Sequence, residues 1–201
     1  MTDRTILLDL GNVVIGVDFR RVFAAWAEAA QVDQRVFYER WQLDAAYKAH
    51  EVGTLDFEGY CAHLSQLFGV DMPLTEWQRG WNDLWTEPFH DVIDLLPELA
   101  ARYDLYAFTN TNDTHAECWR ELFGHKLTPF QDIFVSSEIG KRKPDIEAYD
   151  HVCEVMNTNP GEVLFLDDTR ENIDGARATG IDARWVQNQG EVVRELKSLL
   201  R

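Results

Sequence analysis

Cysteine is scarce. Cys61, Cys118 and Cys153 form no CxxC pair and stand at no metal-ligand spacing from a histidine, which argues against a zinc module or a disulfide scaffold. They read as reduced and packed thiols. Basic residues are also few, 19 against 35 acidic, and the formal net charge of −16 opposes approach to a phosphate polymer or an anionic membrane. Nucleic acid is therefore not an expected partner. A small anionic ligand is still compatible, because salt screens the global field beyond roughly 8–10 Å and local groups then decide. The first apolar stretch is about one strand long and is broken by Asp9, so neither a secretion signal nor a membrane span is expected, and the default location is cytoplasmic. No Ser/Gly linker, low-complexity tract or repeat is found.

What is present builds a core. The chain has 201 residues, 45% hydrophobic and 12% aromatic, enough for one domain with an insertion or two small domains, and too apolar for disorder. Thr5 to Leu8, Leu105 to Phe108, Val163 to Leu166 and Ala183 to Val186 are short, nearly all-apolar runs, the pattern of parallel strands covered on both faces. The stretch "DIFVSSEIG", residues 132–140, offers another, and helical patterns separate the later runs. This alternation predicts an open parallel α/β sheet. Between the first two runs lies far more chain than the roughly one dozen residues a parallel crossover needs, so an insertion is expected there. It reads as helical. Val22, Phe23, Trp26, Ala27 and Ala30 mark one face, and Asp33 is placed to cap a second helix toward Ala49. Thr54 is placed to start a third, and Thr75 with Gln78 makes a capping box for a fourth. The expected division is a helical cap on 17–88 over a core built from 1–16 and 89–201. The tryptophans of the insertion, Trp26, Trp41, Trp77, Trp81 and Trp85, are expected to pack helices and carry no chemistry.

In an open parallel sheet, ligands bind beyond the carboxyl ends of the strands. After the first run comes Asp9, after the second Thr109 and Asn110, and after the third Asp167 and Asp168, with Lys143 in "GKRKPD". Each alone suits a cap, a turn or a solvated loop. Together, three converging carboxylates resist ionisation unless a cation sits among them, and an all-oxygen, incomplete set suits Mg²⁺ with a phosphate supplying further ligands. The chemistry this permits is phosphoryl transfer. Asp9 would be the nucleophile forming an aspartyl-phosphate; Mg²⁺ and Lys143 would neutralise the transferring group while Thr109 hydrogen-bonds it.

This ordered set, with a helical insertion after its first member, resembles the haloacid dehalogenase superfamily with a cap of the first type, over essentially the whole chain. The resemblance implies a Rossmann-like core, Mg²⁺, and in the family's phosphatases an aspartyl-phosphate. Carried over residue by residue, it implies Asp9 as nucleophile and metal ligand, and Gly11 as a ligand through its backbone carbonyl. Thr109, with Asn110 beside it, matches the phosphate-binding loop, and Lys143 the phosphate-stabilising lysine. Asp168 matches the metal carboxylate, with Asp167 adjacent and Asn172 where many members carry a second acid. "DLGNVV…VDF" also resembles the bacterial subgroup that includes α-D-glucose-1-phosphate phosphatase.

One residue departs from the family pattern. Gly11 stands where a second aspartate usually serves as general acid and base, a contribution of about 10²–10⁴-fold. Either the substrate has a leaving group needing little protonation, such as an anomeric, acyl or aryl oxygen, or another group replaces the acid. Asp18, His50 and Glu51 are the candidates; for Asp18 and Glu51 substrate contact is an expectation, and for His50 a solvated helix end is the plainer one. The expected partner is a small phosphorylated metabolite. Rival readings are a 2-haloacid dehalogenase, disfavoured by Asp167 and Asp168 beside Asp9, and a phosphate-binding member without turnover. Receiver domains use a similar residue set in a different order and lack the insertion. A cap that opens and closes would hinge near 16–18 and 86–90.

Overall fold

The computed structural model describes residues 4–201, so residues 1–3 of the 1–16 segment lie outside the described residues. Strands form where the sequence is apolar and short: β1 (Thr5–Leu8), β2 (Ile15–Val17), β3 (Trp85–Pro88), β4 (Asp104–Thr109), β5 (Asp132–Val135), β6 (Val163–Asp167) and β7 (Asp182–Trp185). Five of them make one parallel sheet in the order β5-β4-β1-β6-β7. Side chains alternate through it: Ile6 and Leu8 join one buried cluster and Leu7 the other, as a strand's period of two requires. The central strands β1 and β6 are buried on both faces, which is why their interiors are almost wholly apolar, whereas edge strand β7 keeps Asp182 and Trp185 exposed. The fold is α/β and Rossmann-like. Its topological switch lies at β1, flanked by β4 and β6, so the carboxyl ends of these three strands open onto one crevice.

The antiparallel pair β2–β3 carries the inserted helices α1 (Phe19–Ala30), α2 (Arg35–Tyr38), α3 (Ala45–Glu51), α4 (Phe57–Phe68) and α5 (Leu74–Asn82). Helices α6 (His90–Ile93), α7 (Leu96–Ala100), α8 (Asp113–Phe123), α9 (Ser136–Ile139), α10 (Ile146–Val155), α11 (Arg170–Ala178) and α12 (Gln189–Leu199) accompany the sheet. The insertion is held by aromatic packing. Trp26 stacks on Trp81 with centroids 5.6 Å apart, and its Nε1 donates to Trp77 O at 3.0 Å. A Cβ on Gly80 would stand 2.3 Å from Trp26 Cδ1, so this close approach needs glycine. Trp26, Trp77 and Trp81 pack helices as expected.

The helix starts within the insertion differ from the sequence expectation. The helix expected from Asp33 to Ala49 is two, α2 and α3, because Asp44 starts a new one: its side chain accepts from Tyr47 N at 2.8 Å and from His63 Nε2 at 2.7 Å. Asp56, rather than Thr54, caps α4 by accepting from Gly59 N. In α5 Pro73 occupies the cap position, which puts Thr75 inside the first turn, where its hydroxyl cannot cap.

Helix α8 docks against α5 through a buried histidine. His115 Nε2–H donates to Trp81 O at 3.0 Å, and its Nδ1 accepts from Asn112 Nδ2 at 3.2 Å, so the ring is neutral. Burial pushes its pKa from 6.5 down to about 3. The unfolded chain therefore binds this proton first, and the stability is present above the unfolded value and lost as pH falls toward the folded one. At about 1.4 kcal/mol per unit, wild type should lose about 2 kcal/mol more than His115→Gln between neutral pH and about pH 5 in denaturant titrations. Parallel losses in the two proteins would show that His115 does not titrate in this way.

Candidate active site

The parallel register brings together residues separated by most of the chain. Asp9 N donates to Leu166 O at 2.9 Å, continuing the β1–β6 pairing one step, so Asp9 sits beside Asp167 at the end of β6. Thr109 ends β4 on the other side. Asp9, Gly11, Thr109, Asn110, Lys143, Asp168 and Asn172 all line a single cavity of about 230 Å³.

Lys143 is fully buried, and each of its three ammonium protons has an acceptor: Asp9 Oδ1 at 2.9 Å, Asp167 Oδ2 at 2.7 Å and Phe108 O at 2.7 Å. Burial acts to lower its pKa, but Asp167 and Asp9 outweigh it and the net shift is upward, so the cation persists. The Asp9 carboxyl is pushed up to about 7, first by burial; Lys143 opposes this, while Asp167 and Asp168 add to it. Asp168 is raised by burial and by Asp167, with Asn12 and Lys143 pulling the other way.

One oxygen each from Asp9, Asp167 and Asp168 lies within 4.8 Å of the others. Three such carboxylates, two of them held above the usual range, fit a hard divalent cation such as Mg²⁺. They are not equivalent. Both oxygens of Asp167 already accept hydrogen bonds, Oδ1 from Thr169 N at 2.7 Å and from Asn172 Nδ2 at 3.0 Å, Oδ2 from Lys143 and from Asn172 Nδ2 at 3.0 Å. Asp9 and Asp168 have more lone pairs to offer a metal, and Asp167 orients Lys143.

Two expected substrate contacts are otherwise engaged. Asn110 Oδ1 accepts from Lys143 N at 2.9 Å and its Nδ2 donates to Lys143 O at 2.8 Å, so at the cavity wall its amide is spent on fixing the lysine's backbone. Asp18 is not brought to the cavity lining: it caps α1 by accepting from Arg20 N at 3.0 Å and pairs with the Arg20 guanidinium at 2.8 Å. His50, instead of being a solvated helix end, is buried, with Nδ1 2.9 Å from Leu55 O and the ring stacked on Tyr60. Glu51 alone of the three candidates lines the cavity.

Several residues here went unread in the sequence. Arg142 Nε donates to Glu51 Oε2 at 2.8 Å. Ser136 Oγ accepts from Thr111 N at 2.8 Å and lies 2.6 Å from Glu51 O, tying the end of β5 to both the β4 loop and the insertion. Tyr47 and Trp85 also line the cavity. A serine directly after an apolar run was the available signal for Ser136; Arg142 looked like one more charge in "GKRKPD".

A family model described as haloacid dehalogenase-like hydrolase matches residues 4–180, and the chain belongs to that family. It is 23% identical over 203 residues to D-ribitol-5-phosphate phosphatase of Bacteroides thetaiotaomicron, covering 98% of each chain. Over 110 residues it is 37% identical to sesquiterpene phosphatase astK of Aspergillus oryzae, covering 54% of this chain and 56% of that one. Among solved structures it is similar to the haloacid dehalogenase-family enzyme bt-2542 of Bacteroides thetaiotaomicron, in complex with magnesium and inorganic phosphate. That match has 25% identity, a TM-score of 0.78, and covers 90% of this chain and 93% of the other. Among the described residues no helix is long and apolar enough to cross a membrane.

Proposed function

We propose that the protein is a Mg²⁺-dependent phosphatase of small phosphorylated metabolites, sugar phosphates foremost, with residues 17–88 as its cap and 1–16 and 89–201 as its catalytic core. The observation that carries this reading is Lys143 bridging Asp9 and Asp167 at the strand ends, in a cavity also lined by Thr109. Asp9 attacks phosphorus, the bond from phosphorus to the leaving oxygen breaks, and the aspartyl-phosphate so formed is hydrolysed by water. Lys143 and the Thr109 hydroxyl stabilise the equatorial oxygens. When bound by Asp9, Asp168 and the Gly11 carbonyl, Mg²⁺ supplies charge neutralisation. The D-ribitol-5-phosphate and sesquiterpene phosphatases among the relatives support the reaction class, and the likeness of "DLGNVV…VDF" to the glucose-1-phosphate phosphatase subgroup supports a sugar 1-phosphate.

The absent acid is a choice of residue rather than a steric requirement. A Cβ at Gly11 would make only ordinary contacts, 3.5 Å to Val17 Cγ2 and 3.9 Å to Asp9 Oδ2, and Gly11 is not among the residues with positive φ. Leaving oxygens that depart as stable anions are therefore the suited substrates. Phosphate release should depend on Mg²⁺, cease with chelator, and favour sugar 1-phosphates and aryl phosphates over primary-alkyl phosphates. Gly11→Asp should raise the alkyl rates by about 10²-fold relative to aryl ones. A wild-type preference for primary-alkyl phosphates would refute the missing-acid account. Halide release from a 2-haloacid in chelator would favour the dehalogenase reading, and phosphate binding without turnover on any ester would favour a binding protein.

A further inference from the structure

We propose that Arg142, acting with Glu51, makes this cavity selective for leaving groups that carry neighbouring hydroxyls; the inference rests on the phosphatase reading for the site that holds the phosphate. Arg142 precedes Lys143, whose backbone is clamped at both N–H and C=O by Asn110, so the root of the Arg142 side chain is fixed at the cavity wall. Its Nε is taken by Glu51, with the two side chains only 15% and 5% exposed. Among the described residues, neither terminal nitrogen of the guanidinium hydrogen-bonds to protein, although a guanidinium offers five donors in a rigid fork. The terminal nitrogens are not among the buried unpartnered atoms, and Arg142 lines both this cavity and a neighbouring one bounded by Lys48, Val52 and Asp145.

Glu51 is held as firmly. Tyr47 lines the cavity beside it, and Ser136 Oγ stands 2.6 Å from its backbone oxygen. Two residues on, Gly53 adopts φ +72 in a position where a Cβ would lie 2.6 Å from Ser137 O. The turn after α3 is thus seated on the sheet domain at a close contact that only glycine permits.

A carboxylate and a guanidinium side by side have no net charge, so a second anion on the substrate gains little from Arg142 that Glu51 does not oppose. A hydroxyl uses both, donating to the carboxylate and accepting from the guanidinium, and two neighbouring hydroxyls match the fork. An apolar leaving group would instead cover a half-satisfied ion pair and strip its remaining water. Sites built to hydrogen-bond a substrate hydroxyl reject analogues that lack it. Phe19, Leu84 and Trp85 line the same cavity and offer surface for the C–H faces of a polyol. At about 230 Å³ the space lies below the roughly 300–1,000 Å³ usual for larger ligands, which suits a short polyol over a terpenoid chain.

The test compares α-D-glucose 1-phosphate and α-D-ribose 1-phosphate, whose leaving oxygens are anomeric, with phenyl phosphate. Binding is read by calorimetry on the Asp9→Asn protein, which requires no turnover, and kcat/KM is read on the otherwise native enzyme. Arg142→Met and Glu51→Gln should each lower the polyol-to-phenyl ratio of affinities by about 30-fold, in line with loss of a charge-assisted hydrogen bond. Glu51→Gln keeps its shape and covers the case in which Arg142→Met does not fold. Equal weakening of both ligand classes would mark a structural pair and overturn the proposal, as would a native preference for phenyl phosphate in binding. If the ratio falls as expected but native protein releases no phosphate from any ester, hydroxyl recognition stands and the phosphatase reading fails.

Discussion

Asp9→Asn is expected to abolish phosphate release, by at least about 10⁴-fold in kcat, while the folded state keeps its stability. The amide has the shape of the carboxylate and no lone pair nucleophilic enough to attack phosphorus, so the covalent route closes. Stability does not follow activity because the Asp9 charge is not held for the sake of the fold. Burial and the neighbouring Asp167 and Asp168 push its carboxyl up to about 7 against the pull of Lys143; a neutral amide relieves that repulsion and still accepts from Lys143. The measurement pairs a phosphate-release assay with thermal unfolding in metal-free buffer. Turnover above about one hundredth of wild type would place the nucleophile elsewhere, and a markedly lower unfolding midpoint would make Asp9 a structural anchor.

Lys143→Met gives the opposite pattern, with activity and stability falling together. Among the described residues the ammonium is the one donor bridging Asp9 and Asp167, and it also satisfies Phe108 O. Methionine fills similar volume between the rings of Phe108 and Phe165, over which Nζ now lies at 5.2 and 5.3 Å, so no large cavity forms. What remains is Asp9 and the Phe108 carbonyl without the Lys143 donor and a buried Asp167 charge that keeps only Thr169 N and Asn172 Nδ2, a loss of about 3–5 kcal/mol by the usual cost of breaking a buried ion pair. Removing a preorganised charge from the transferring phosphoryl group costs a further 10²–10³-fold or so in kcat. Urea titration in chelator reads the first and the phosphatase assay in Mg²⁺ the second. A change below about 0.5 kcal/mol would mean the two carboxylates find other donors.

The strands of the central sheet and the order in which its acids, hydroxyl and lysine arrive are legible in the sequence because both depend on short-range pattern. A run such as Val163 to Leu166 is apolar throughout because each side chain meets a covering layer, and the residue at its end emerges at the same rim wherever the strand pairs. Helix starts in the insertion were less legible. Asp33, Thr54 and Thr75 are all credible caps by residue type; Asp33 does accept from Arg35 N at the start of α2, but Asp44 starts a further helix, and Asp56 and Pro73 take the places expected of Thr54 and Thr75, since the start of a helix shifts to whatever lets its aromatic face meet its neighbours.

The sequence by itself determined an open parallel α/β sheet with a long helical insertion after its first strand. It also determined which side chains stand at the ends of the strands, Asp9, Thr109 and the Asp167–Asp168 pair, with Lys143 in a loop between the second and the third. Tertiary structure alone decided what each of those side chains faces. It turned Asn110 onto the backbone of Lys143, and brought Arg142 to Glu51 across 91 positions and Ser136 to Glu51 across 85. The physical reason is that a strand end is located by its own neighbours in the chain, whereas a hydrogen bond or ion pair needs a partner whose position is set by the packing of distant elements.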